Sequence, residues 1–127
     1  MVDMDELYMK RYGKTRSEIN RVFLENLEKD IRILEVGSNI GLQLDLLQKM
    51  GFKYLYGIEI NEEAIEISKQ LTRNIFITKG SAFDIPYKDN YFDLVFTSGV
   101  LIHIAPQDIK EALKEIYRVS KKYIWGG

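Results

Sequence analysis

The chain has 127 residues, 46% of them apolar and including eight Tyr, six Phe and one Trp, which is enough to fill one core in one domain spanning 1–127. Eighteen Lys+Arg against 19 Asp+Glu leave a net charge of -1 with no long block of one sign, which argues against a nucleic-acid partner; the absence of Cys excludes a disulfide framework or thiolate metal site. No apolar run approaches the roughly 20 residues of a membrane helix, and the acidic start Met1-Val2-Asp3-Met4-Asp5-Glu6 is unlike a signal peptide, so a soluble, cytoplasmic protein without a membrane partner is expected.

In chain order, Thr15-Arg16-Ser17-Glu18 has capping-box spacing and opens a helix of about 14 residues with Ile19, Val22, Phe23 and Leu27 on one face. Ile31 to Val36 reads as a buried strand, and Leu42 to Met50 as a helix with Leu44, Leu47 and Met50 inward and Gly51 as its left-handed stop. Tyr54 to Ile60 is a second strand, after which Asn61 caps a helix carrying Ala64, Ile65, Ile67 and Leu71. Ile75 to Thr78 and Phe92 to Thr97 follow as strands three and four. Pro106 suits the first turn of a last helix through Ile109, Leu113, Ile116 and Val119, whose Asp108, Lys110, Glu111, Lys114 and Glu115 read as its wet face. Lys122 to Trp125 completes five strands. Alternation of helices with unbroken apolar strands predicts an α/β fold with a parallel sheet covered on both faces.

In such a sheet the ligand lies beyond the carboxyl ends of the strands. There stand Glu35 and the Gly37-Ser38-Asn39-Ile40-Gly41 turn after strand one, Glu59 after strand two, Ser81-Ala82-Phe83-Asp84 after strand three, and Ser98-Gly99 and His103 after strand four. Glycine at 37 and 41 allows a tight exit from the strand and a close approach of backbone. Glu59 lies 22 positions after Gly37, near the roughly 20 residues that separate a nucleotide-binding glycine turn from the acid that holds the ribose hydroxyls.

A pyrophosphate turn requires G-x-G-x-x-G, yet Leu42 stands at the last glycine and the Glu35 carboxylate is a poor neighbour for phosphate. An amino-acid tail suits the turn better, its ammonium near Glu35 and its carboxylate on amides or hydroxyls. These residues favour S-adenosylmethionine (SAM) over a nicotinamide dinucleotide.

Glu35-Val36-Gly37-Ser38-Asn39-Ile40-Gly41 resembles the first motif of class I, Rossmann-like SAM-dependent methyltransferases, with Asn39 at the middle glycine. Gly57-Ile58-Glu59-Ile60 resembles the ribose-binding motif, Gly80 to Tyr87 the adenine-side segment, Lys88 to Val95 the lead into strand four, and Val100-Leu101-Ile102-His103-Ile104 the segment after it. The resemblance covers roughly residues 31 to 119 and implies a three-layer fold, with SAM as cofactor, S-adenosylhomocysteine as product and a small molecule as methyl acceptor. Carried over residue by residue, it implies cofactor contacts at Glu35, Gly37, Ser38, Asn39, Gly41, Glu59, Ile60, Ser81, Ala82, Phe83 and Ser98, and no metal.

A narrower resemblance is to methylases associated with pseudaminic acid and other surface-sugar biosynthesis, carried by Gly37 to Leu44, Gly80 to Asp84 and Ser98 to Ile104. It implies a sugar or sugar-nucleotide acceptor. His103, the only histidine, is the candidate general base for a hydroxyl acceptor, or else a backbone-bonded residue at the end of strand four. Tyr8, Tyr12 and Arg16 are candidates for an N-terminal lid, the two tyrosines also for packing on the first helix. Asp84 and Asp89 read equally as turn formers or ligands.

Two departures from the family pattern stand out. Ser81 replaces an aspartate that meets the adenine amine, which leaves that contact to backbone near Ala82 and Phe83, or to Asp84. The family sheet has seven strands, whereas this chain stops about where the fifth ends, so the C-terminal antiparallel pair is expected to be missing. Strand five then becomes an edge with an apolar Tyr123-Ile124-Trp125 face, and a homodimer through it is expected. Two functions stay open: a methyltransferase, and a shortened SAM-binding module without turnover.

Overall fold

The computed structural model describes residues 16–98, 100 and 104–126, with the first helix represented by backbone alone over 16–20. Its elements are α1 (Arg16–Glu25), β1 (Arg32–Val36), α2 (Leu42–Lys49), β2 (Tyr54–Glu59), α3 (Glu62–Leu71), β3 (Ile75–Lys79), β4 (Phe92–Thr97), α4 (Ile109–Val119) and β5 (Ser120–Gly126). The five strands form one sheet in the order β3-β2-β1-β4-β5, every pairing parallel, as the strand–helix alternation predicts. Chain direction across the sheet reverses between β1 and β4, the place where ligands settle in open parallel sheets.

Two cores lie on opposite faces. One is built from Leu24 of α1, Leu44 and Leu47 of α2, Phe52, and the strand residues Ile33, Leu55, Leu94 and Phe96. The other joins Leu34, Val36, Ile58, Ile85, Phe92 and Val95 to Ile116 and Val119 of α4. Among the described residues, rings cover this second face over β2 and β3: Tyr56 packs against Phe76, Tyr87, Tyr91 and Phe92, with centroids between 5.3 and 6.2 Å apart. The pairs with Tyr87, Tyr91 and Phe92 are edge-to-face and the one with Phe76 is tilted, and together the rings cover this part of the sheet.

Several boundaries and faces differ from the sequence expectation. Helix α1 ends at Glu25; among its described side chains Leu24 is buried, while Val22 and Phe23 are exposed, and Phe23 meets Tyr123 edge-on at 5.4 Å. In α3 the inward face is Ala64, Ile65 and Ser68, with Ile67 and Leu71 exposed. Ser68 is tolerated there because its hydroxyl donates to the Ile65 carbonyl at 2.6 Å, so burial leaves no polar group unpaired. The last helix starts at Ile109 rather than at Pro106, which lies in the preceding turn, and β5 follows α4 without a loop. Edge strand β3, expected as a short strand over Ile75 to Thr78, runs to Lys79 and is half-exposed. Leu44 and Leu47 point inward, Gly51 has φ 105° and the Asn61 side chain accepts from the Ala64 amide at 3.2 Å, all as the sequence predicts.

Among the described residues, no helix is long and apolar enough to cross a membrane. Thr15, Tyr8, Tyr12 and His103 lie outside the described residues, as does the Arg16 side chain, so the capping box, the lid and the general base are expectations on which the structure is silent.

Candidate active site

The turn after β1 is shaped by three residues in left-handed conformation: Gly37 at φ 76°, Asn39 at φ 52° and Gly41 at φ 88°. Asparagine is among the few side-chain-bearing residues that adopt this region readily, which explains why Asn39 can stand at the family's middle glycine. The Gly37 and Ser38 amides both donate to the Ile58 carbonyl, at 2.9 and 3.0 Å, and tie the turn to β2. A Cβ on Gly37 would collide with the side chain of Val100, so the segment after β4 closes on this glycine. Gly41 permits close packing of the start of α2 on the sheet: a Cβ there would meet Ile77 of β3 at 3.0 Å and Thr72 beyond α3 at 3.4 Å.

Glu59, at the end of β2, organises the neighbouring loops. Its Oε1 accepts from the Asn39 amide at 2.8 Å and its Oε2 from the Asn61 amide at 2.9 Å. A carboxylate offers about four acceptor positions, so two remain for donors such as paired hydroxyls. The glycine turn and the start of α3 are thereby held around one acid.

Glu35 is in a different situation. It is 2% exposed, between Gly57 of β2 and Phe96 of β4 in the sheet register. Burial, and next the charge of Glu59, push its carboxyl up to about 8. Its Oε1 has no hydrogen-bond partner among the described residues; nor do the buried hydroxyls of Ser38 and Thr97. All three lie at the carboxyl ends of β1 and β4, and Thr97 pairs with Val36 in register. Buried polar groups are nearly always paired, so three atoms without a partner among the described residues stand out at this end of the sheet. Gly57 leaves room for the Ser38 side chain: a Cβ there would lie 2.6 Å from Ser38 Oγ and 2.7 Å from Ser38 Cβ.

Ile60 is 69% exposed and Phe83 47%, two apolar residues left open at the same end of the sheet, after β2 and β3. Ser81 folds its own turn, its hydroxyl accepting from the Phe83 amide at 3.1 Å and its carbonyl from the Asp84 amide at 3.1 Å. Ser81 therefore shapes the backbone of this segment. Ser98 is exposed just after β4. The structure thus brings Glu35, Gly37, Ser38, Asn39, Gly41 and Glu59 together directly, and sets Ile60, Ser81, Ala82, Phe83 and Ser98 on strand-end segments around them.

Sequence reasoning missed Thr97, Gly57 as the cradle, and the role of Glu115. Glu115 was expected on the wet face of α4, yet it accepts from the Ile85 amide at 2.9 Å and binds Arg118. The three-residue spacing of Glu115 and Arg118 along a helix was the available signal. Asp89, left open as turn former or ligand, accepts from Arg118 at 3.0 Å.

A parallel sheet with order 3-2-1-4-5, a glycine turn at its switch point and an acid closing β2 define the cofactor half of a Rossmann-like, SAM-dependent methyltransferase fold. The chain belongs to the methyltransferase-domain family, whose match runs over residues 34–123. It is 34% identical over 101 residues to a demethylmenaquinone methyltransferase of Staphylococcus epidermidis, covering 76% of this chain and 41% of that one. Among solved structures, a Pyrococcus horikoshii protein superposes with TM-score 0.74 at 23% identity, covering 87% of this chain and 56% of the other. A SAM-dependent methyltransferase of Aquifex aeolicus superposes at 0.69 with 26% identity, covering 84% and 60%. The chain spans 51%, 42% and 41% of the lengths of three curated relatives it matches.

Proposed function

We propose that this chain binds SAM at the carboxyl ends of β1, β2 and β4 and serves as the cofactor half of a methyltransferase acting on a small molecule. The observation that carries the reading is the set of buried groups without a partner among the described residues, Glu35 Oε1, Ser38 Oγ and Thr97 Oγ1, beside a Glu59 carboxylate with acceptor capacity to spare. A cationic amine suits Glu35, because a positive charge relieves both its burial cost and its repulsion by Glu59. The Ser38 and Thr97 hydroxyls suit a carboxylate or the same amine, Glu59 a pair of ribose hydroxyls, and the Ile60 and Phe83 side chains the faces of a purine. When bound, the cofactor supplies a methyl group already activated by a sulfonium. The protein's part is accordingly to hold, align and exclude water.

His103, which follows β4, is the proposed proton acceptor where the substrate nucleophile is a hydroxyl. A sugar or sugar nucleotide is the proposed acceptor class, supported by the resemblance of residues 37–44, 80–84 and 98–104 to surface-sugar methylases. Self-association through β5, which pairs only with β4 among the described residues, is also proposed. The alternative reading is a SAM-binding module without turnover.

Calorimetry with SAM and S-adenosylhomocysteine, followed by methyl-transfer assays over hydroxyl, amine and quinone acceptors, tests the proposal. Binding with transfer supports the enzyme, and binding without transfer to any acceptor supports the module. Tighter binding of NAD than of SAM contradicts both.

A further inference from the structure

The segment between β3 and β4 contains no helix or strand, yet one side chain of α4 accounts for much of its backbone. Arg118 Nε and one terminal nitrogen grip the two oxygens of Glu115 at 2.7 and 3.0 Å. The same terminal nitrogen donates to the Ile85 carbonyl at 2.8 Å; the other donates to the Tyr87 carbonyl at 2.8 Å and to Asp89 at 3.0 Å. Those are five hydrogen bonds from a guanidinium that has five N–H donors. Glu115 in turn accepts from the Ile85 amide at 2.9 Å, so both backbone groups of Ile85 are fastened to α4 while its side chain is 2% exposed. The Arg118 carbonyl also accepts from the Asn90 amide at 2.9 Å.

Ile85 directly follows the Ser81–Asp84 turn. At its other end the turn hangs on β2, where the Gly80 amide donates to the Glu59 carbonyl at 3.1 Å. The turn is therefore suspended between the acid-bearing strand and the Arg118–Glu115 pair, with its own closure supplied by Ser81. Such a suspension fixes where the Ala82 and Phe83 backbone groups lie.

We infer that Arg118 and Glu115 are positioning residues for recognition of the adenine base, acting from α4 through Ile85 on the Ser81–Asp84 turn. The inference rests on the SAM reading above and adds the determinant of base selectivity. A polar edge read by backbone groups discriminates well only when those groups are held still, because a displaced donor or acceptor loses its partner while still bearing the desolvation cost. Lysine does not replace Arg118, since three donors on a flexible stem cannot span Glu115, Ile85, Tyr87 and Asp89 together.

The test compares dissociation constants of S-adenosylhomocysteine and S-inosylhomocysteine, which differ only at the base edge, for the 127-residue chain and for Arg118→Lys and Glu115→Gln. Glu115→Gln keeps an acceptor for the Ile85 amide and serves as the milder variant should Arg118→Lys fold poorly. Wild type is expected to prefer the adenine ligand, and the preference to shrink by about three- to tenfold in the variants. A purely architectural role would weaken both ligands equally, and an unchanged ratio in either folded variant overturns the inference. If wild type binds S-adenosylhomocysteine and the ratio is unchanged, only this inference falls. If wild type does not bind it, the SAM reading falls as well.

Discussion

Two polar clusters in this molecule are built on opposite principles. Around Arg118, every guanidinium donor has an acceptor and the neighbouring Glu115 is held below the usual carboxylate range, chiefly by its hydrogen bond to Arg118. Around Glu35, three buried polar atoms have none among the described residues, and the carboxyl is pushed in the other direction, up to about 8. The first cluster spends its hydrogen-bonding capacity on fixing a loop; the second withholds it. The proposed function rests on the second cluster, and the first holds a loop in place.

The largest effect expected from this contrast is on stability against pH. Between 4.5, the ordinary carboxyl value, and about 8, the unfolded chain releases the Glu35 proton while the native state keeps it. The Glu35 contribution is thus fully present below 4.5 and is lost as pH rises toward 8, by at most on the order of 4–5 kcal/mol. Denaturant titrations at pH 5, 6, 7 and 8 should show that decline, and Glu35→Gln should flatten it. A wild-type profile as flat as the variant's would dissolve the contrast.

Next in size, Glu59→Ala removes the acceptor of two backbone amides together with the proposed ribose contact, and should weaken S-adenosylhomocysteine binding by roughly tenfold or more. Unchanged affinity in calorimetry would remove Glu59 from the site. Gly57→Ala places a methyl group 2.6 Å from Ser38 Oγ and should cost about 1–3 kcal/mol in chemical denaturation, with loss of ligand affinity. The smallest effect is at Glu62, whose 2.7 Å pair with Lys79 lies in solvent; Glu62→Ala should leave the thermal midpoint where it is.

The sheet, its parallel sense and its strand-end acids were legible because apolar runs, glycine spacing and the Gly37-to-Glu59 interval are local signals. Asn39 stands at the middle glycine of the resembled motif, and its φ of 52° is a left-handed backbone that asparagine permits. What was illegible depends on contacts distant in sequence. Ser68 looks polar until its bond to Ile65 is known, and Glu115 looks solvated until a loop some 30 residues earlier folds against it. Thr97 ends an apolar strand and gains its meaning only from standing beside Val36 in the sheet.

Titration calorimetry with S-adenosylhomocysteine at pH 7, run in phosphate and in Tris, tests the pairing of Glu35 with the ligand amine. Because the carboxyl of the free protein is largely protonated at that pH and a neighbouring cation favours its ionised form, binding should release close to one proton. The heats should then differ between the buffers for wild type and coincide for Glu35→Gln. Buffer-independent heat in wild type, or no binding of the adenosyl ligand by a chain that does bind NAD, would contradict the account.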